Sequence, residues 1–342
     1  MTDAPHWTEP GAHEVAPGIH RLPLPLPMDG LRAVNVYVLE TERGLVLIDG
    51  GWAIEESRRQ LEASLASIGY GVADITRFLV THVHRDHYTQ ASVLRRELGS
   101  HVSLGVGEKP TLDLLRDENL AEDPNAAQLR RAGADQLAED WRSMMPGKRP
   151  DLTLWEYPDE WLSEDLTLDV AGRALEAVST PGHTQGHYVF ADLADGLLFA
   201  GDHVLPTITP SIGFEPVPAE LPLGDFLASL AKVRALPDLR LLPAHGPVTE
   251  SSHRRIDELL VHHDHRLQLC LEAVESGCET AYDVAGELPW TRHGHPLRDL
   301  DVFNAALATM ETAAHLNLLA AQGRVGRSEV DGTSRYGRLS EA

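Results

Sequence analysis

Two cysteines, Cys270 and Cys278, are all that 342 residues contain. So few exclude a disulfide-stapled scaffold and match the usage of a reducing compartment. A continuous helix would hold the two about 12 Å apart, beyond the reach of a bridge. Neither has a dedicated base partner in the sequence, so neither reads as a nucleophile. Long apolar runs are missing as well: nowhere do 18 uncharged apolar residues follow one another, and MTDAPHWTEPGAHEVAPGIH lacks a basic start followed by an apolar stretch. The expectation is a protein neither exported nor inserted into a membrane, with the cytoplasm as its compartment.

Basic residues are scarce. Against 52 acidic side chains stand 29 Lys and Arg, a formal charge of -23. That excess repels phosphate backbones and anionic headgroups, which disfavours nucleic acid and membranes as partners and favours a small-molecule substrate. No solenoid-length repeat and no low-complexity tract is found. What the chain does have is a hydrophobic share of 42%, ample for one large domain or two modest ones, and 18 histidines whose meaning rests on spacing.

From His20 to about Trp52 the chain reads as strands, with VNVYVLE and GLVLIDG joined by a polar turn at Thr41 to Gly44. Leu61, Leu65 and Ile68 recur at helical spacing, ITRFLVTH resumes a buried strand, and a helix over about Thr89 to Leu98 leads to HVSLGV. The stretch from about Lys109 to Trp161 reads as a helical insertion, broken at Asp123-Pro124 and Pro146-Gly147 and placed to cover the site. LTLDVAG, LEAVSTPGH, HYVFADL, GLLFAGDHVL and LRLLPAHG are strand-like runs, several of which end in loops carrying His or Asp. Beyond Pro247 the order becomes three helices, with stops at Gly277 and Gly323, and then two short strands joined at Asp331-Gly332. The expected division is a domain over 1–250 and a small winged-helix-like domain over 251–342.

The chemistry concentrates in THVHRDH. If the strand continues, His82 and His84 share a face, with Asp86 and His87 in the turn that follows. Three imidazoles and a carboxylate within six residues are costly to bury unless a divalent cation compensates them, and these donor types suit zinc. Three later loops add His183 in STPGHTQGH, Asp202 in LFAGDHVLP and His245 in LLPAHGP. Seven donors are more than one four-coordinate zinc uses and suit two metals sharing a carboxylate.

In that order these residues, together with Asp49 of LIDGG, resemble the metallo-β-lactamase superfamily over about His20 to Pro247. The resemblance implies an α+β fold, a four-layer αββα sandwich with the site at the edge of two facing sheets. It implies that His82, His84 and His183 bind one metal and Asp86, His87 and His245 the other, with Asp202 bridging and Asp49 as structural support. The expected cofactors are two Zn(2+), with iron or manganese as alternatives at the second site. His245 stands where the cysteine-containing zinc β-lactamases differ, so the site is similar to that of glyoxalase II and ribonuclease Z. Tyr88, Thr89 and Gln90 depart from the small residue and two glycines of many relatives, and Gln185 stands where relatives often carry proline.

The implied function is hydrolysis of a thioester, ester or lactone by a metal-bridged hydroxide, with Asp86 and Asp202 as its orienting catalytic groups. The alternatives are a phosphodiesterase or endoribonuclease of the same fold, and a non-hydrolytic iron-binding or redox member. Residues 252–339 resemble the small extension of the β-lactamase-like protein 2 group, on helix order and the phrase TAAHLNLLAAQGRV. Family analogy offers a homodimer. Tyr88, as an oxyanion donor, His203 and His187 are the further residues considered for the pocket. Arg324, Arg327, Arg335 and Arg338 read as solvated charges, and His262, His263 and His265 lack the four-residue helical ligand spacing and stay unassigned.

Overall fold

The computed structural model describes residues 6–27, 30–117, 123–144, 151–291 and 293–339; the break expected at Pro146-Gly147 lies outside them. By its internal contacts the chain groups into two compact units, one of residues 1–116, 151–210 and 229–256, the other of 117–150, 211–228 and 257–342.

Two sheets build the first unit. Strands β1 (His13–Ala16), β2 (Ile19–Pro25), β3 (Ala33–Thr41), β4 (Gly44–Ile48), β5 (Ile75–Leu79), β6 (His101–Gly105) and β7 (Glu160–Leu162) lie side by side in sequence order. The pairings are antiparallel through β4 and parallel from β4 to β7. The second sheet holds β8 (Leu166–Val170), β9 (Arg173–Ser179), β10 (Tyr188–Asp192), β11 (Leu197–Gly201) and β12 (Arg240–Pro243), with β12 running parallel to β11.

Period-two alternation in β3 explains why the sheets face each other. Tyr37 and Leu39 point into a core shared with Leu175, Phe190, Phe199 and Leu242 of the second sheet. Val34, Val36 and Val38 point the other way, onto Leu61 and Leu65 of α1 (Glu55–Ser67) and Ala91 and Leu94 of α2 (Arg85–Leu98). On the outer side of the second sheet, Ser229 donates to the Pro181 carbonyl at 2.8 Å and Lys232 to that of Ser179 at 2.9 Å. The layering is the expected αββα sandwich.

The expected insertion holds α3 (Lys109–Leu115), α4 (Pro124–Arg131) and α5 (Asp135–Met144), but ends in β7 and so rejoins the first sheet. Helix α6 (Pro222–Arg234) was not read from the sequence, because three prolines crowd its start. Helix α7 (Ser252–Glu275) belongs to the second unit from residue 257 onward, and there α8 (Ala281–Glu287) and α9 (Val302–Ala321) follow it and precede the hairpin β13 (Gly326–Val330) and β14 (Thr333–Gly337). Gly277 and Gly323 take positive φ just past α7 and α9, the helix stops anticipated from sequence. Cys270 and Cys278 are free thiols. Among the described residues no helix is long and apolar enough to cross a membrane.

Candidate metal centre

One detail of THVHRDH differs from the strand reading. Strand β5 ends at Leu79, and α2 begins four residues earlier than expected, at Arg85 with His84 as its N-cap. His82 and His84 therefore converge through a loop rather than a shared strand face. Asp86 and His87 occupy the first helical turn, where the positive end of the helix favours the Asp86 carboxylate.

The donors fall into two groups. His82 Nε2 lies 3.0 Å from His84 Nδ1, which lies 3.1 Å from His183 Nε2. Tetrahedral ligands at a Zn–N bond of about 2.05 Å sit ~3.3 Å apart, so these nitrogens are near the spacing one ion imposes. The second group gathers Asp86, His87 and His245, with Asp86 Oδ2 3.3 Å from His245 Nε2 and 3.6 Å from His87 Nε2. Asp202 joins the two: Oδ2 is 3.6 Å from His183 Nε2, while Oδ1 is 3.4 Å from His245 Nε2 and 3.8 Å from His87 Nε2.

Hydrogen bonds behind the cluster fix which ring nitrogen carries the proton. His245 Nδ1 donates to the Ala33 carbonyl at 2.8 Å, leaving an Nε2 lone pair turned toward two carboxylates. Asp49 Oδ2 accepts from His87 Nδ1 at 2.8 Å. The same carboxylate accepts from the Thr81 hydroxyl, which itself accepts from His82 Nδ1 at 3.0 Å. Asp49 holds a left-handed φ of 64°, unusual for a residue with a Cβ. The Thr81 N–H, donating at 2.8 Å, helps to pin it there.

His87 Nε2, His245 Nε2 and Asp202 Oδ1 are buried with no hydrogen-bond partner. Buried polar atoms of that kind are rare in folded proteins, and a cation between them removes the cost. The electrostatics agree. Burial opposes charge on His87, yet Asp86, Asp49 and Asp202 outweigh it and push its pKa up to about 10, so these carboxylates draw positive charge onto the ring, and a metal ion binding there has to displace that proton. His82 and His84 are instead driven down by burial and by neighbouring imidazoles, His84 to about 3, and stay neutral as ligands must. The residues present fit two divalent ions.

The further residues separate cleanly. Tyr88 sits in the core between the first sheet and its helices, and its hydroxyl donates to the Glu156 carbonyl, so it is engaged in packing rather than turned to a substrate oxyanion. His203 is buried, with its pKa lowered to about 3 by burial. His187 does more: its Nε2 accepts the Asp202 backbone N–H at 3.2 Å, Nδ1 lies 2.9 Å from the Thr180 hydroxyl, and its ring stacks on His82 with centroids 5.1 Å apart. The close approach requires Gly201, whose φ is +51° and whose added Cβ would stand 2.7 Å from His187 Nε2 and from Thr81 Cβ. Sequence reasoning missed Glu108. Fully buried, it accepts from the Thr184 hydroxyl at 2.5 Å and from the N–H groups of Val83 and Gly186, so one carboxyl ties the His82–His84 loop to the His183 loop.

A profile of the Metallo-beta-lactamase superfamily matches residues 29–245. A beta-lactamase-like protein 2 homolog of Caenorhabditis elegans is 26% identical over 266 residues, covering 76% of this chain and 73% of that one. An atrochrysone carboxyl ACP thioesterase of Aspergillus fumigatus is 26% identical over 231 residues, 68% of this chain and 42% of its own. Among solved structures, a metallo-beta-lactamase family protein of Thermus thermophilus superposes with a TM-score of 0.78 at 29% identity, covering 95% of this chain and all 100% of its own. Profile, relatives and superposition agree, and the chain belongs to the metallo-beta-lactamase superfamily.

Proposed function

We propose that this superfamily hydrolase cleaves an acyl thioester, ester or lactone at two metal ions, zinc by donor chemistry. His82, His84 and His183 would hold one ion and Asp86, His87 and His245 the other. The observation that carries the reading is Asp202, which turns one carboxylate oxygen toward His183 and the other toward His245 and His87. Two such ions, when bound, supply a hydroxide at neutral pH from water whose pKa is otherwise about 15.7, and polarise the carbonyl under attack.

The chain's own groups then position and accept. Asp86 Oδ2 and Asp202 Oδ1 both face His245, where they would orient the hydroxide toward the carbonyl. Asp49, through His87 and through Thr81 to His82, keeps a ring of each group in the ligating tautomer. No protein nucleophile is needed, and burial pushes the Cys270 thiol up to about 12, far from thiolate reactivity.

The choice of a thioester rests on the named activity of the Aspergillus relative and on a formal charge of -23, which opposes polyanionic RNA. The test is a substrate panel on the zinc-loaded chain: an acyl thioester, a homoserine lactone, bis(p-nitrophenyl) phosphate and single-stranded RNA, with metal analysis of the same preparation. Turnover of the carbonyl substrates is expected. RNA cut while thioesters and lactones are spared would make the chain a nuclease, and iron without hydrolysis would make it the non-hydrolytic alternative.

A further inference from the structure

The histidine group of α7, unassigned by its spacing, meets α9 in the second unit. A ring nitrogen of His262, a ring nitrogen of His263 and a carboxylate oxygen of Glu311 lie within 4.8 Å of one another. His263 is fully buried, while His262 and Glu311 are half-buried. Packing between two helices asks for apolar side chains, and imidazoles with a carboxylate in that position are costly unless something satisfies them.

The tautomers can be read from the hydrogen bonds. The Glu311 carbonyl can only accept, so His315 Nδ1, 2.8 Å away, donates to it. His315 Nε2 then carries a lone pair and accepts from His263 Nδ1 at 3.2 Å. That relay leaves His263 Nε2 as a lone pair, and this atom is buried with no partner. A histidine that donates through one nitrogen and offers a bare lone pair on the other is the arrangement by which proteins orient a metal-binding imidazole. Burial holds His263 and His315 neutral, with pKa values down to about 2 and about 3. Burial likewise lifts the Glu311 carboxyl to about 7, against the pull of Arg266. The Arg266 guanidinium lies over the Trp290 ring at 4.2 Å and donates to the Pro289 carbonyl at 2.9 Å.

We infer that His262, His263 and Glu311 form a separate site for a divalent transition-metal ion, zinc by its two-imidazole, one-carboxylate donor set, with His315 orienting His263. The ion would join α7 to α9. Its role is structural, because it ties two helices of the second unit and adds binding free energy to the folded state.

The test uses the full chain, stripped with chelator and titrated with zinc, with stoichiometry read by calorimetry and by metal analysis after gel filtration. Glu311→Gln, which keeps side-chain size, and His262→Ala should each lose about one zinc equivalent per chain and keep hydrolysis within about two-fold of the unaltered chain. Conversely, a His84→Ala and Asp202→Ala double variant should retain about one equivalent, and cobalt(II) added to it should give visible bands that vanish when Glu311→Gln is added. Unchanged zinc stoichiometry in both Glu311→Gln and His262→Ala would overturn the inference. So would a double variant that binds neither zinc nor cobalt.

Discussion

Asp49 Oδ2 and His87 Nδ1 stand 2.8 Å apart in a fully buried contact, and the same carboxylate reaches His82 through the Thr81 hydroxyl. One side chain thus orients a ring in each donor group. Asp49→Asn preserves shape but can no longer accept from both partners as a charge. Loss of such an outer carboxylate costs about 10–100-fold in metal affinity or activity. The expected outcome is that loss in zinc affinity and in kcat/KM at limiting zinc, partly restored by excess zinc. Unaltered zinc affinity in the Asp49→Asn variant would remove Asp49 from the account.

Gly201 marks how closely the second sheet approaches the centre. An alanine there would place its Cβ 2.7 Å from both His187 and Thr81, on a backbone with φ of +51°. Strain and overpacking together should lower stability by about 2–4 kcal/mol, read from urea midpoints, and displace the Asp202 backbone held by His187. Metal content should fall with it.

Tyr88→Phe discriminates packing from catalysis. Its hydroxyl is spent on the Glu156 carbonyl, so removal should cost on the order of 1 kcal/mol in stability and leave kcat within about two-fold. A hundred-fold fall in kcat at unchanged stability would restore the oxyanion role.

Much of this was legible in the sequence, and the reasons are local. His82, His84, Asp86 and His87 lie within six residues, and His183, Asp202 and His245 each follow or close a strand, where a β-rich chain delivers its loop residues to one edge. The strand runs and the three C-terminal helices announced themselves by period. What escaped was carried by distance along the chain. Glu108 meets Thr184 across 76 residues with no pattern in between to reveal it, and although the resemblance marked Asp49 as structural support, its partner Thr81, 32 residues on, carries no local signal. The earlier start of α2 at Arg85 was hidden because His84 and Asp86 look like turn residues until their helical hydrogen bonds form. The grouping of residues 117–150 with 257–342 likewise depends on contacts that no local window contains.

Glu108 supplies a pH signature. Burial raises its pKa from 4.5 to about 7, against the opposing hydrogen bonds of Thr184, Val83 and Gly186. The folded state therefore holds this proton more tightly than the unfolded one. Its stabilising contribution is fully present below pH about 4.5 and is lost as pH rises through about 7, a span worth on the order of 3 kcal/mol. In Glu108→Gln the decline of the unfolding midpoint between pH 5 and 8, on the order of that size, should flatten. An unchanged slope would mean that Glu108 is ionised throughout.

The central claim is that the two donor groups act as one hydrolytic centre through Asp202. Its most direct measurement is thioester hydrolysis by the chelator-stripped chain during stepwise return of zinc, with the unaltered chain beside Asp202→Ala. Stripping should abolish turnover, zinc should restore it, and Asp202→Ala should lose at least about a hundred-fold in kcat/KM together with bound zinc. Full hydrolysis by the stripped chain, or by Asp202→Ala with no loss of metal, would contradict it.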